Sequence, residues 1–378
     1  MHKTAYEIAS CLVGSEMCIR DSYNSSKNDA DNLNGLTQIS EMGEFGLIKH
    51  LTEKVEVKNK NVIQGIGDDA AVIDIGDKYH LISTDLLIEG VHFDLAYSPL
   101  KHLGYKLVSV NVSDMCAMNG KAKQIIIGLA MSNRFSVEAL EELYEGIQLA
   151  CQHYNVDLVG GDTTSSTTGL FISVTVLGEV EKNKITYRSG ANINDLLVCT
   201  GDLGAAYLGL QLLNRENQIF KENPKMQPDL SGNDYVLRRQ LKPEAPTKYL
   251  KILNDLDIVP SAMIDVSDGL SSEALHLSKS SKVGITIHEE KIPIDYTTMN
   301  LANEFNLNPI TCALSGGEDY ELLFTISQEH YSKLKKDPDF TIIGFVTDIS
   351  EGNNFIANDG SSHILKAQGW DATKKSNG

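Results

Sequence analysis

Six short stretches of this 378-residue chain set oxygen-bearing side chains beside glycines or apolar runs. Asp68 and Asp69 follow two glycines in GIGDDA (65–70), and Ser83, Thr84 and Asp85 follow an apolar run in LISTD (81–85). Asp114 interrupts NVSDMCAM (111–118), and Asp162 follows two glycines in LVGGDTT (158–164). Asp265, Ser267 and Asp268 occupy IDVSDGL (264–270), and Glu318, Asp319 and Glu321 occupy LSGGEDYELLF (314–324). A charge in apolar surroundings is costly unless it is paired or binds a metal. Any one of these stretches reads as well as an acidic turn or helix cap as it does as half of a cation site. Six in one chain favour several magnesium ions, each held by a few carboxylates and completed by phosphates and water. GIGDDA also fits the loose dinucleotide pattern G-x-G-x-x-A, but its acids fall where a pyrophosphate would approach the backbone, so that reading is rejected. No P-loop, no H-R-D or D-F-G set, no H-E-x-x-H and no G-x-S-x-G occurs, so phosphoryl chemistry here would have to work mainly through metals.

The elements that must position these residues follow from periodicity. Helical spacing is expected over 43–55, about 101–116, 136–154 (with Ser136 as N-cap), 204–213, 235–240, 246–255 and 328–335. Strands are expected over 70–75, 79–84, 124–131, 157–161, 170–180, 196–201, 283–288 and 340–346, with polar 214–234 as a surface loop. The alternation predicts an α/β (α+β) chain of two domains, mixed sheets with flanking helices. The expected divisions are 1–36, a foreign or disordered head; 37–182, an N-terminal α/β domain for metal and ATP; and 183–378, a C-terminal α/β domain completing the site. The acidic motifs would then sit at the carboxyl ends of strands, where ligand sites of α/β sheets gather.

Composition narrows the partners. Lys and Arg total 33 against 51 Asp and Glu, a net charge of −18, which argues against nucleic acid or an anionic membrane. No apolar run approaches the roughly 20 residues of a membrane helix. The six cysteines form no CxxC pair and read as reduced thiols of a cytoplasmic protein.

The ordered series GEFGLI, GIGDDAAV, ISTD…GVHF, NVSDMCAM, GGDTT, TYRSGA, IDVSDGL and LSGGEDYELLF resembles the thiamine-monophosphate kinase family of the aminoimidazole-ribonucleotide-synthetase-like ATP-binding superfamily. The resemblance runs from about Gly43 to Trp370, and ISTD…GVHF with LSGGEDYE is its most specific part. It implies magnesium ligands at Asp69, Ser83, Thr84, Asp85, Asp114, Asp162, Asp265 and Asp268. It implies ATP contacts at Tyr144, Gly161, Asp162, Arg188 and Ser267, and thiamine-phosphate contacts at His92, Glu318 and Trp370. Arg188 can fork onto phosphate oxygens, and Trp370, the single tryptophan, can stack on a cationic ring. Tyr144, without the resemblance, reads as core packing.

The implied reaction is ATP plus thiamine monophosphate giving ADP and thiamine diphosphate, by in-line transfer with magnesium and no catalytic side chain as nucleophile. A homodimer is implied by the family. The alternatives are another ATP-dependent synthetase of the superfamily or a non-catalytic nucleotide-binding subunit. The selenium branch would need a reactive Cys in a Gly-rich N-terminal segment, which this chain lacks.

The first 22 residues fit nothing that follows and read as a tag or translation scar. Deleting them should leave melting temperature and activity unchanged, measured by thermal denaturation and by turnover; a loss of several degrees would show that they dock on the fold.

Overall fold

The computed structural model describes residues 39–367, so the expected head at 1–36 and Trp370 both lie outside the described residues. Residues 39–55 belong to one compact unit, of which α1 (Ile39–Thr52) is the described element. Gly43, at φ 65°, breaks that helix at a backbone conformation that a side chain would resist. The second unit begins at Glu56 and contains everything below.

Its first half runs β1 (Val62–Gln64), β2 (Ala71–Asp74), β3 (Lys78–Ile88), α2 (Leu100–Ala117), β4 (Lys121–Met131), α3 (Val137–Tyr154), β5 (Asp157–Ser165) and β6 (Leu170–Glu181). These strands form one mixed sheet of order β1-β2-β3-β6-β4-β5, in which only β4 and β5 pair in parallel. Along β6, Leu170, Ile172, Val174 and Val176 alternate into the core, the period-2 signature of a sheet with one covered face. The Ser136 hydroxyl caps α3 by accepting the Ala139 N–H at 3.2 Å, as the sequence suggests.

The second half runs β7 (Leu196–Thr200), α4 (Ala205–Glu222), α5 (Asp234–Leu241), α6 (Thr247–Asp255), β8 (Ala262–Asp265), α7 (Leu270–Ser281), β9 (Gly284–His288), α8 (Tyr296–Glu304), α9 (Pro309–Ser315), β10 (Leu322–Ile326), α10 (Tyr331–Leu334), β11 (Phe340–Thr347), β12 (Asn353–Ile356) and β13 (Ser362–Ile364). A second mixed sheet results, of order β13-β12-β9-β11-β7-β10-β8. The loop expected over 214–234 is a helix as far as Glu222. Polar partners hold it there: Arg215 lies over the Phe305 ring and bonds Glu304 at 3.0 Å, and buried Glu216 accepts the Asp229 N–H at 2.9 Å.

Helix α2 is the element on which the site depends. It is buried almost all round, because it touches β3, β4 and β6 of the first sheet and also β8 of the second. One core cluster therefore joins Val108, Met115, Ile127 and Val174 to Val198, Met263 and Phe324. The α2–α3 crossing is close because glycine faces backbone from both sides. A Cβ on Gly104 would stand 2.0 Å from the Leu143 carbonyl oxygen, and one on Gly146 would stand 1.9 Å from that of Lys101. Neither obstacle is a flexible side-chain end, so the helices themselves would have to separate. Gly104→Ala should cost about 1–3 kcal/mol despite alanine's better helix propensity, measured by denaturant unfolding. A gain in stability would contradict the close crossing.

Candidate functional site

Three carboxylates from distant parts of the chain converge. Asp69 comes from the turn between β1 and β2, Asp114 from the last turn of α2, and Asp265 from the end of β8. One oxygen of each lies within 4.8 Å of the others, and Asp69 and Asp265 are buried. Ser83 and Asp85 project from β3 on the covered face of the first sheet, since Asp85 pairs with buried Val174. The Ser83 hydroxyl donates to Asp114 Oδ2 at 2.6 Å, and the Ser113 hydroxyl donates to Asp265 Oδ2 at 2.6 Å. Each serine thus ties one segment to another through a carboxylate.

Cations are scarce at this cluster. Arg188 forks onto Asp69, with Nε to Oδ2 at 3.0 Å and Nη2 to Oδ1 at 2.6 Å, a bidentate pair of the strong kind. Its own main-chain N–H donates to Asp68 at 3.2 Å, so Asp68 fastens the 186–190 segment to the GIGDDA turn. Burial alone would weaken the Arg188 charge, but Asp69 more than offsets this and its pKa lies above the ordinary arginine value. Among the described residues, neither Asp114 nor Asp265 accepts a hydrogen bond from lysine or arginine.

The electrostatic result is clear. Burial pushes the Asp85 carboxyl up to about 6. Burial, followed by the charge of Asp69, pushes Asp265 up to about 7. Asp114 stands well above the usual carboxylate range, through burial first and then Asp85 and Asp265. Burial and Asp69 likewise raise Asp68 to about 6. Hard oxygen donors, converging and short of cationic partners, are what a divalent cation such as magnesium binds. Asp69 keeps acceptor capacity for one, because each carboxylate oxygen carries two lone pairs and Arg188 engages only one on each. The donor set fits magnesium.

Ser267 and Asp268 lie beside this cluster, in the turn from β8 to α7. The Ser267 carbonyl accepts the Glu318 N–H at 2.7 Å, and the Asp268 N–H donates to Glu273 at 2.7 Å. Glu273 is buried, and burial followed by the Asp268 charge raises its pKa well above the ordinary value. Ser113 looks like an ordinary helix residue until β8 is folded against α2.

A second group lies along α2 from the first. Lys106 donates to both oxygens of Glu318 at 3.0 Å, and Gln240 donates to Glu318 Oε2 at 2.8 Å. His92 joins them. Its Nδ1 accepts the Ile88 N–H at 3.1 Å; burial and then Lys106 lower its pKa, while Glu318 partly offsets them. Burial first, then the charges of Glu318, Asp85, Asp265 and Asp114, raise the pKa of the Tyr320 phenol well above its ordinary value. Glu318 and Tyr320 both adopt left-handed backbone, at φ 58° and 52°, next to Gly317 at 73°. Such conformations cost energy in residues with side chains and collect at functional sites. The buried residues of the same motif serve the fold instead. Asp319 accepts the Gly204 N–H at 2.7 Å at the start of α4, and Glu321 accepts from Arg239 at 2.8 Å and from Thr200 at 2.7 Å.

Other expected residues lie elsewhere. The Thr84 hydroxyl faces away from Asp85 and meets Thr175 Oγ1 and the Val174 carbonyl at 3.1 Å each. Tyr144 packs against the core from α3. Gly161 sits where a Cβ would stand 2.1 Å from the Ile127 carbonyl oxygen, so the β4–β5 pairing demands glycine there. Asp162 is exposed on β5, and its pairing with Gly128 puts it on the open face of the sheet. Three strand spacings, about 14 Å, separate β5 from β3. The acidic residues also depart from the expected strand ends: Ser83, Asp85 and Asp162 lie within longer strands, and only Asp265 ends one.

Comparison with known proteins finds relatives of this chain. Residues 67–180 match the family model "AIR synthase related protein, N-terminal domain". The chain is 34% identical to the thiamine-monophosphate kinase of Bacillus subtilis (strain 168), over 88% of this chain and 100% of that one. It is 35% identical to that of Aquifex aeolicus (strain VF5), over 88% and 99%. Among solved structures, AaThiL complexed with AMPPCP and TMP superposes with a TM-score of 0.75 at 34% identity, covering 89% of this chain and 99% of that chain. Hydrogenase maturation protein HypE in complex with ATP, at 17% identity and a TM-score of 0.62 over 89% and 99%, shares the fold alone.

The raised carboxyls set the pH dependence of stability. The folded chain holds protons on Asp85 up to about 6 and on Asp265 up to about 7, whereas the unfolded chain releases them near 3.8. The folded state therefore binds more protons across that window, and stability without a divalent cation falls as pH rises through it. In EDTA the melting temperature should drop between about pH 4 and pH 7, and added magnesium should raise it most at the upper end. A magnesium effect of equal size at every pH would count against the cluster.

Proposed function

The chain belongs to the thiamine-monophosphate kinase family, and from that premise we propose that it transfers the γ-phosphoryl group of ATP to thiamine monophosphate, forming ADP and thiamine diphosphate. The observation that carries the reading is the convergence of Asp69, Asp114 and Asp265 within 4.8 Å. Magnesium held by these carboxylates and Asp85 would supply positive charge between two anionic reactants. Ser83 and Ser113 fix the orientation of Asp114 and Asp265. Arg188 anchors Asp69, and the family's ATP contact at this position would use the guanidinium's remaining donors. Glu318 and His92 would receive the thiamine body. An ionised phosphate oxygen of the acceptor attacks the γ-phosphorus in line, and the bond to the β,γ-bridging oxygen breaks. The chain's part is positioning and electrostatics, with no covalent intermediate on a side chain.

We also infer a homodimer. Its support is the open face and free edge of the first sheet, where Leu86 and Val159 are 61% and 57% exposed and all of β5 is uncovered. Two α/β domains, 37–182 and 183–378, remain the reading of the domain organisation, supported by a sheet change between Glu181 and Leu196. A cytoplasmic location accords with the free thiols of Cys116, Cys151, Cys199 and Cys312. Among the described residues no helix is long and apolar enough to cross a membrane.

The test is acceptor choice. Incubated with ATP and magnesium, the protein should convert thiamine monophosphate to thiamine diphosphate and leave free thiamine untouched, read by chromatography of the products. Asp85→Asn and Asp114→Asn should each lower kcat by orders of magnitude without loss of fold. Phosphorylation of free thiamine at a comparable rate, or near-normal turnover in both variants, would refute the reading.

A further inference from the structure

Among the described residues Lys106 is the one lysine on the buried face of α2, and nothing in the sequence marks it. Its side chain is 5% exposed, and burying an ammonium that deeply is costly unless its donors are satisfied. All three are: two bond the oxygens of Glu318 at 3.0 Å and the third the Gln240 carbonyl at 3.3 Å. Gln240 returns through its side chain, donating to Glu318 Oε2 at 2.8 Å. The Glu318 carboxylate is thus gripped from two sides while remaining 29% exposed, open to whatever enters. The backbone grips it too, since the Glu318 N–H is bonded to Ser267 and Asp319 is drawn into the start of α4.

The placement along α2 gives this grip a purpose. Lys106 and Asp114 are eight residues apart on one helix, about 12 Å along its axis. One end of α2 therefore presents the carboxylate cluster, suited to phosphates through magnesium. The level of Lys106, about two turns back along the helix, presents a fixed anion, suited to a cation.

We propose that Lys106 is a positioning residue for acceptor recognition: through its two bonds it aims the Glu318 carboxylate at the cationic ring system of a substrate whose phosphate lies at the Asp114 end of α2. The proposal rests on the reading above for the identity of the acceptor. It assigns Lys106 no contact with substrate and no part in the transfer itself. A surface lysine would be free to leave Glu318; this one is held by Gln240 and by burial, so the aim of the carboxylate is set before the acceptor arrives and little ordering is left to be done on binding.

The test uses Lys106→Met, which keeps the stem and removes the charge, beside Lys106→Arg, Glu318→Gln and the double variant Lys106→Met/Glu318→Gln. Lys106→Met should raise KM for thiamine monophosphate, and its calorimetric Kd, on the order of tenfold. KM for ATP and the magnesium-induced rise in melting temperature should stay as in wild type. Lys106→Arg should recover part of the loss. The double variant should be little worse than Glu318→Gln alone, because both changes remove one interaction. Unchanged acceptor binding in Lys106→Met, losses that add in the double variant, or equal loss for ATP and acceptor would each overturn the proposal. Failure of the wild-type protein to form thiamine diphosphate would instead strike the assignment of function; wild-type conversion with an indifferent Lys106→Met strikes this inference alone.

Discussion

Mutual repulsion among buried carboxylates is the constraint on which this structure turns. Asp69, Asp114 and Asp265 would separate or protonate if left to themselves in a dry interior, and burial does raise the last two well above their ordinary range. The fold keeps them together by holding each from behind. Arg188 forks onto Asp69, and serine hydroxyls from other segments hold Asp114 and Asp265. Such an arrangement costs stability in the empty protein. A bound cation would offset that cost, which would make ligand affinity and folding energy two views of one balance.

Much of the architecture serves to place α2. It carries Lys106, Ser113 and Asp114, and it lies between two sheets that supply Asp85 from one side and Asp265 from the other. Its closeness to α3 rests on Gly104 and Gly146, where a single added carbon would meet backbone. The LSGGEDYELLF motif works in the same spirit. Its buried acids Asp319 and Glu321 anchor the loop to α4 and Arg239, while Glu318 and Tyr320 beside them adopt left-handed backbone.

Most elements were legible in the chain because periodicity and caps are local: α3 begins at its Ser136 cap, and the strand runs through 124–131 and 170–180 recur as β4 and β6. The extension of α4 to Glu222 was not, because Arg215 and Glu216 owe their helical state to Glu304, Phe305 and Asp229, which are remote or non-periodic. The acidic residues of the cluster were visible by type and company. Their second partners were not: Ser113 and Lys106 have no signature except the residues brought against them by folding. Arg188 was expected at a phosphate, and its fork onto Asp69 could be seen only once the GIGDDA turn and the TYRSGA segment were placed side by side. Asp162 and Thr84 share the motif pattern of the cluster yet face the open side of the sheet, which follows from the alternation of side chains along β3 and β5 and from their registers with β6 and β4.

The acidic balance of the chain, −18 overall, and an anionic pair of substrates would be reconciled by cations that enter with the phosphates. The most direct measurement of that claim is calorimetric titration of the protein with magnesium in two buffers of different ionisation enthalpy. At a pH near 6, where Asp85 and Asp265 are partly protonated, binding should release protons to the buffer; at about pH 8 the release should be smaller, and Asp114→Asn should bind far more weakly. Magnesium binding without proton release near pH 6, or binding that is the same in Asp114→Asn, would contradict the account.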